Sequence, residues 1–321
     1  MLHRTITLSV AAFAFVVAGA CSSSLPECTV GADCASGACD SSGHCVSAGG
    51  DDGGGSGSGS GGSGGADVVV LDVSGGSDAA SGEAGSSCLP DDSGVVTRAE
   101  FPMLAGLHAS FLIATATNGF TVDTSGTSWD LTGALPGDTT VVITTDSPSG
   151  QWFSSKFTTA SYTSLLSETE STLLGVYQAT NAALLLQGAV STTSGTEQTE
   201  VSYSPSAEII AVPMQMGSTW TSTSTVTGTA EGIDTVYTEK YDSNVDAQGT
   251  LKVPYGTFQV LRIQTTLTRT VGAVVQTTQT MTFVAQCFGP VARLTSQTTT
   301  YPETPPGPSF TNVVEAWRLT Q

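Results

Sequence analysis

The chain has 321 residues, of which 28 are acidic and only 9 are basic, so its formal net charge at pH 7 is −19. Nucleic-acid binding needs clustered Lys and Arg side chains, and the few in this chain are scattered, which argues against a nucleic-acid partner. Charged residues make up 12% of the chain while Thr, Ser and Gly are abundant, a composition typical of exported β-proteins.

Residues 1–20 have the features of an export signal. His3 and Arg4 form a positively charged start, and Ile6–Val17 is an apolar stretch that is too short to cross a bilayer. We therefore expect this segment to direct export and then to be removed.

The cysteine at position 21 follows the sequence Val-Val-Ala-Gly-Ala. This arrangement resembles the lipobox of bacterial lipoproteins, and the resemblance implies that Cys21 becomes the acylated first residue of the mature protein. An ordinary secretory signal cleaved after Ala20 is the alternative, and both interpretations export the chain. The next residue is Ser22, which by the lipoprotein sorting rule implies an outer membrane, facing the periplasm or the cell surface.

Cysteine parity favours lipidation over plain secretion. The chain has seven cysteines, and an odd number in an exported protein leaves one without a disulfide partner. Lipid on Cys21 leaves six cysteines, which can all pair. The acyl chains are then the expected contact with the membrane, because an anionic membrane surface would repel this acidic protein.

Four closely spaced cysteines, Cys28, Cys34, Cys39 and Cys45, lie in segment 21–47. The segment has almost no apolar residues, so we expect two disulfides to stabilise a module without a core of its own, and three pairings are possible. A zinc site is the alternative, but it favours closer cysteine pairs and a reducing compartment. The pattern resembles small Cys-rich segments near the lipidated ends of myxobacterial lipoproteins, which implies a spacer or contact module.

Gly, Ser and Asp dominate residues 48–87, with one apolar island at Val68–Leu71. Such a composition buries too little apolar surface to offset the entropy of ordering, so we predict a disordered linker. Forty residues of flexible chain span roughly 35–40 Å root-mean-square. The linker would hold the following domain away from the membrane.

Residues 88–321 carry short runs of β-branched and apolar residues between turn signals. We predict an all-β antiparallel domain, either a sandwich or a strongly curved sheet of many short strands. The predicted strands are His108–Thr117, Gly119–Val122, Thr139–Thr144, Leu173–Thr180, Ala182–Val190, Glu200–Tyr203, Ile209–Pro213, Thr219–Thr229, Thr235–Tyr241, Thr250–Val253, Thr257–Arg269, Val274–Ala285, Val291–Thr300 and Thr311–Leu319.

Two segments of this domain have distinctive residue patterns. In Thr219–Thr227 every second residue is threonine, so alternation predicts that the threonines share one face while Trp220 and Val226 point to the other. Ser161–Tyr177 is the one helix candidate, from the spacing of its leucines, although a hairpin between two strands fits the segment equally well.

Cys88 and Cys287 are the cysteines left over outside the N-terminal module. In an oxidising compartment we expect them to form a disulfide that attaches the incoming linker to the end of a long strand. Closing a loop of about 200 residues could contribute on the order of 4–5 kcal/mol by the chain-entropy model.

Three segments resemble motifs of uncharacterised secreted β-domains of myxobacteria and Bacteroidetes. They are residues 126–132, with Trp129, residues 212–220, with Trp220, and residues 249–263. The resemblance implies no activity. We expect the aromatic residues of these motifs to be core and turn anchors rather than ligand-stacking residues.

Side chains that could support catalysis are few. His108 is the only histidine after residue 87, so a histidine-dependent catalytic site could be built only around it. The pairs Asp91-Asp92 and Glu168-x-Glu170 could bind Ca²⁺, but no calcium-loop pattern surrounds them and solvated surface explains them better. We predict a protein without enzymatic activity, cofactor or metal.

Two functional hypotheses are consistent with the sequence. The first is a lipid-anchored envelope or cell-surface module that binds a protein or polysaccharide partner or has a structural role. The second is a periplasm-facing carrier or chaperone that holds an apolar ligand in a curved sheet. A large cavity lined by Leu and Val would favour the carrier, and a filled core with exposed Trp would favour the binding module. The long linker favours the first.

Overall fold

The computed structural model describes residues 88–168, 171–300 and 310–321, and the side chains of residues 310 and 311 are not described. The predictions on the signal peptide, Cys21, the four-cysteine module and the linker lie outside these residues. All described residues belong to the compact unit Val69–Gln321.

The described residues form sixteen strands and one short 3-10 helix, Arg98–Glu100. The strands are β1 (Val95–Val96), β2 (His108–Val122), β3 (Ser128–Asp130), β4 (Thr139–Thr144), β5 (Tyr162–Leu165), β6 (Leu173–Ala179), β7 (Ala183–Ser191), β8 (Glu200–Ala211), β9 (Met214–Gln215), β10 (Thr219–Ala230), β11 (Ile233–Val253), β12 (Gly256–Val271), β13 (Val274–Ala285), β14 (Gly289–Ser296), β15 (Thr299–Thr300) and β16 (Phe310–Leu319).

Twelve strands follow one another in a single antiparallel sheet, in the order β4-β2-β16-β14-β13-β12-β11-β10-β8-β7-β6-β5. The first and last strands of this order approach each other. Asp146, after β4, and Thr163, in β5, exchange two backbone hydrogen bonds of 2.8 and 2.9 Å. The sheet is therefore strongly curved and nearly closed, which confirms the predicted all-β fold and selects the curved sheet over the sandwich.

Four smaller strands lie off this path. β1 pairs with β9 in a two-stranded sheet, and β15 pairs with β13. β3 pairs with β11 and is parallel to it.

Strands β10 to β13 are long because each pairs with its neighbour in sequence. β11 ends at Val253 and β12 begins at Gly256, so a turn at Pro254-Tyr255 joins them directly. β12 and β13 are joined at Gly272, whose φ of +58° lies in the left-handed region that favours glycine. The four strands therefore form an antiparallel meander of long neighbours.

Large apolar side chains fill the space across the curve. One cluster joins Leu184 of β7 and Ile210 of β8 to Trp220, Val245 and Leu261 of β10, β11 and β12. Nine large apolar residues from all parts of the domain are less than 2% exposed: Phe101, Ile113, Phe153, Val176, Met214, Leu251, Met281, Phe283 and Leu294. These nine residues belong to three separate buried clusters in different parts of the sheet.

The segment that precedes β2 closes one end of this core. Its disulfide between Cys88 and Cys287, which the sequence predicts, has a Cα–Cα distance of 5.6 Å. The side chain of Gln286 donates to Asp91 Oδ1 at 2.6 Å and to the backbone oxygen of Val95 at 2.8 Å. We call residues 88–103 the N-terminal strap, and Phe101 is its most deeply buried large apolar side chain.

Two buried arginines hold the segment 123–138, which contains β3, against the sheet. The Arg262 guanidinium donates to the Thr124 carbonyl and to Asp246 Oδ1 at 2.8 Å, and it lies 5.2 Å from the centre of the Trp129 ring. Arg318 donates to the Leu131 carbonyl at 3.2 Å and pairs with Asp138. Because each charge has a partner, the cost of burying it is offset.

The structure differs from the predicted strands in two respects. Ser161–Tyr177 does not form a helix, because β5 and β6 pair as a hairpin with Leu165 opposite Leu174, as the alternative predicted. The runs predicted as separate strands on either side of residues 118, 204–208 and 242–249 are continuous within β2, β8 and β11, whereas the predicted strand Val291–Thr300 is divided between β14 and β15. Pairing with neighbouring strands overrides the local break signals in the continuous segments.

Candidate binding face

Six polar side chains from β10, β11 and β12 form two rows across one face of the sheet. Register places Asp242 opposite both Thr221 and Thr266, and it places Asn244 opposite both Thr219 and Gln264. Directly opposite residues in antiparallel strands have Cβ atoms about 4.5–5.5 Å apart, so each row is a line of neighbouring side chains. We call these six residues the polar face.

The polar face lines a groove of about 480 Å³ that is open to solvent. Trp220 and Ser243 complete the lining. The six residues of the polar face therefore offer hydroxyl, amide or carboxylate groups to the groove rather than an apolar surface. A lining of this kind suits a polar ligand and does not suit an apolar one.

Alternation along β10 explains why the groove is polar. Threonines 219, 221, 223, 225 and 227 are exposed, whereas Trp220, Ser224 and Val226 are buried. The β-branched threonines are favourable on a pleated surface, and their partners turn into the core. The predicted separation of the threonines from Trp220 and Val226 is confirmed.

Asp242 is the only acidic member of the polar face. Its carboxylate accepts a hydrogen bond from Thr221 Oγ1 at 2.9 Å and forms an ion pair with Lys240 Nζ at 2.8 Å. The hydrogen bond from Lys240 is the main reason that the pKa of Asp242 lies below its ordinary value. The carboxylate is therefore an acceptor throughout the neutral range, and Lys240 balances its charge.

A second cluster of polar side chains lies closer to the turns that join β10 to β11 and β12 to β13. Glu239 is fully buried and accepts hydrogen bonds from Arg269 Nε at 2.8 Å and from the Tyr241 hydroxyl at 2.6 Å. Burial raises the pKa of both Tyr241 and Tyr203 well above the ordinary value for tyrosine. The group joins β8, β11 and β12, so we assign it a structural role.

A third polar group attaches the turn between β5 and β6 to the sheet. Arg293 pairs with Glu315 at 2.9 Å and donates to the Leu166 carbonyl at 2.9 Å. Glu315 also accepts from the Ser167 hydroxyl at 2.7 Å and from the backbone nitrogen of Glu168 at 2.9 Å. These contacts fix the position of residues 166–168.

The structure places the other candidate residues apart from one another. His108 is exposed at the start of β2, opposite Thr144. Asp91 accepts from the backbone nitrogen of Ser93, which is the main reason that its pKa is lowered, and Asp92 is exposed. In the described part of the chain, no three His, Cys, Asp or Glu side chains are grouped so that they could hold a metal ion.

The aromatic residues of the three motifs are anchors, as predicted. Trp129 is 2% exposed and packs edge-on against Phe283, with 5.1 Å between ring centres. Trp220 is 9% exposed in the core cluster. Sequence reasoning detected the alternating threonines of β10 but missed the polar face, because Asp242, Asn244, Gln264 and Thr266 join the threonines only through strand register.

Comparison with known proteins finds no matching family model, no similar curated protein and no similar solved structure. Over residues 88–168, 171–300 and 310–321, the structure contains no helix of the length and apolar character needed to span a membrane.

Proposed function

We propose that this protein is a lipid-anchored, non-catalytic binding module of the bacterial envelope or cell surface, and that the polar face binds its partner. One observation carries the proposal. Six polar side chains from three hydrogen-bonded strands surround a single open groove. Side chains on paired strands are held in place before a ligand arrives, which lowers the entropic cost of binding.

The packing of the domain supports a binding module over a carrier of apolar ligands. A carrier needs an apolar cavity, and the corresponding space across the curve is packed by the cluster of Leu184, Ile210, Trp220, Val245 and Leu261. The groove at the polar face is lined by polar groups, which would leave an apolar ligand facing unsatisfied hydrogen-bonding atoms.

The N-terminal part of the chain supports display of this module away from a membrane. Cys21 is the proposed lipidation site, and a linker of about 40 residues would allow a reach of roughly 35–40 Å. The linker enters the domain at Cys88, which is bonded to Cys287. A tether attached in this way is bonded to the main sheet at the first residue of the domain. Movement of the linker then does not separate the N-terminal strap from the core.

Mass spectrometry and protease shaving test the proposal together. Intact protein extracted from membranes should carry the mass of acyl chains on Cys21, and the Cys21→Ser variant should be released from the membrane fraction. Protease added to whole cells should remove the domain if it is displayed at the surface. A mature wild-type protein without acyl mass would contradict the anchor, and resistance to shaving in intact cells would restrict the module to the periplasmic side.

A further inference from the structure

The chemistry of the polar face narrows the class of its ligand. Threonine hydroxyls both donate and accept hydrogen bonds, and the amides of Asn244 and Gln264 do so as well. The carboxylate of Asp242 only accepts, and beside its bonds from Thr221 and Lys240 it has lone pairs left for a donor of the ligand. Hydroxyl groups satisfy all of these positions, because a hydroxyl donates one hydrogen bond and accepts others.

Charge argues against ionic ligands. An anionic ligand would meet the carboxylate of Asp242 within a chain whose net charge is −19. A cationic ligand would compete with Lys240, which already pairs with Asp242 at 2.8 Å. A neutral ligand avoids both costs.

Register makes Thr221, Asp242 and Thr266 one line across three strands. Two steps between strands measure about 10 Å at 4.7–4.9 Å each. This length exceeds a single sugar ring and matches an extended chain that crosses the strands.

We infer that the polar face binds a neutral polysaccharide whose chain runs across β10 to β12. The inference rests on the proposed binding function and specifies its ligand class. Hydroxyl groups of the sugar bond to Asp242, Asn244 and Gln264, and the threonine methyl groups contact its C–H surfaces. The Trp220 ring is buried in the core, so binding lacks aromatic stacking and depends on the hydrogen-bonding row.

Affinity electrophoresis of the full chain tests this inference. The protein, solubilised in a polyoxyethylene detergent without sugar groups, is run in native gels that contain hydroxyethylcellulose, dextran, α-mannan or the anionic polymer alginate. At least one neutral polymer should retard the wild type. Asp242→Asn should lower the association constant about ten-fold, since the sugar hydroxyl then bonds to a neutral acceptor in place of a charged one, and Asp242→Asn with Gln264→Ala should abolish retardation.

Matched controls separate binding from folding. Asp234→Asn makes the same change elsewhere on β11, and Gln259→Ala makes the second change elsewhere on β12, so neither should alter retardation. All variants should unfold at the same denaturant concentration. Retardation by alginate alone, by none of the polymers, or to the same degree in the wild type and Asp242→Asn would overturn the inference.

A cross-linking arm distinguishes failure of this inference from failure of the proposed function. Thr266→p-benzoylphenylalanine places a photoreactive group on the polar face in living cells. A protein adduct in the absence of any polysaccharide retardation would overturn the polysaccharide ligand and leave the binding face in place. Neither adduct nor retardation would contradict both proposals.

Discussion

Removal of the disulfide between Cys88 and Cys287 gives the most quantitative test of how the domain is stabilised. The bond closes a loop with a sequence separation of 199 residues. In the chain-entropy model a loop of this length contributes about 5 kcal/mol, because it restricts the unfolded chain. We therefore expect Cys88→Ala with Cys287→Ala to lower the free energy of unfolding by up to that amount.

The contacts of the N-terminal strap should survive this change. Gln286 still bonds to Asp91 and Val95, and the backbone nitrogen of Cys287 still donates to the Glu100 carbonyl at 2.7 Å. The native structure then stays in place while the unfolded chain expands. The denaturant dependence of the unfolding free energy should rise accordingly, since more surface is exposed on unfolding.

Equilibrium unfolding in guanidinium chloride, followed by tryptophan fluorescence, measures the effect. All four tryptophans lie after Cys88, so the signal reports on the β domain alone. Substitution is preferable to a reductant, which would also act on the cysteines of the N-terminal module. A loss below about 2 kcal/mol would refute the entropic account.

Backbone conformation at position 287 provides an internal control. Cys287 has a φ of +68°, a value that glycine adopts without the cost paid by other residues. Cys88→Ala with Cys287→Gly should therefore be about 1 kcal/mol more stable than the double alanine variant. Equal stability of the two variants would show that this backbone conformation is not costly.

Three further substitutions test the packing of the domain. Arg318→Met should cost about 3 kcal/mol in denaturant unfolding, because it leaves the largely buried carboxylate of Asp138 without its partner, and a loss under about 1 kcal/mol would contradict this role. Gly228→Ala should cost about 2 kcal/mol or more, since its Cβ would collide with a backbone carbonyl oxygen of β8, and a near-neutral effect would place the strands further apart. Burial raises the pKa of Tyr162 and Tyr177 in the folded protein. Above about pH 10 the hydroxyl protons are therefore lost from the unfolded chain first, and the free energy of unfolding should fall by about 1.4 kcal/mol per pH unit for each tyrosine. Phenylalanine at both positions should make this alkaline fall shallower, and an unchanged slope would assign it to other groups.

Local sequence predicts the strands that have strong and uninterrupted patterns. β4 and β13 begin and end at the predicted residues, and the turn between β11 and β12 lies at Pro254-Tyr255. In these segments propensity, alternation and turn residues all favour the same structure, so local information is sufficient.

The errors occur where local and tertiary preferences conflict. Ser204-Pro205-Ser206 is a typical break signal, yet β8 continues through it, because β7 pairs with both ends of the strand. β11 continues through its polar middle, where its pairing with β12 shifts register between Val245 and Ala247. Backbone hydrogen bonds to a neighbouring strand outweigh the propensity of a few residues, and the neighbour is unknown from a local window.

The sequence by itself determined the fold class, the alternation along β10 and the pairing of Cys88 with Cys287, because composition, period and cysteine count do not depend on which strands meet. Tertiary structure alone decided that the sheet curves nearly to closure, and that Thr221, Asp242 and Thr266 form one row. A shift of one residue in register would turn Asp242 to the opposite face of the sheet. The polar face therefore exists only as a property of the paired strands.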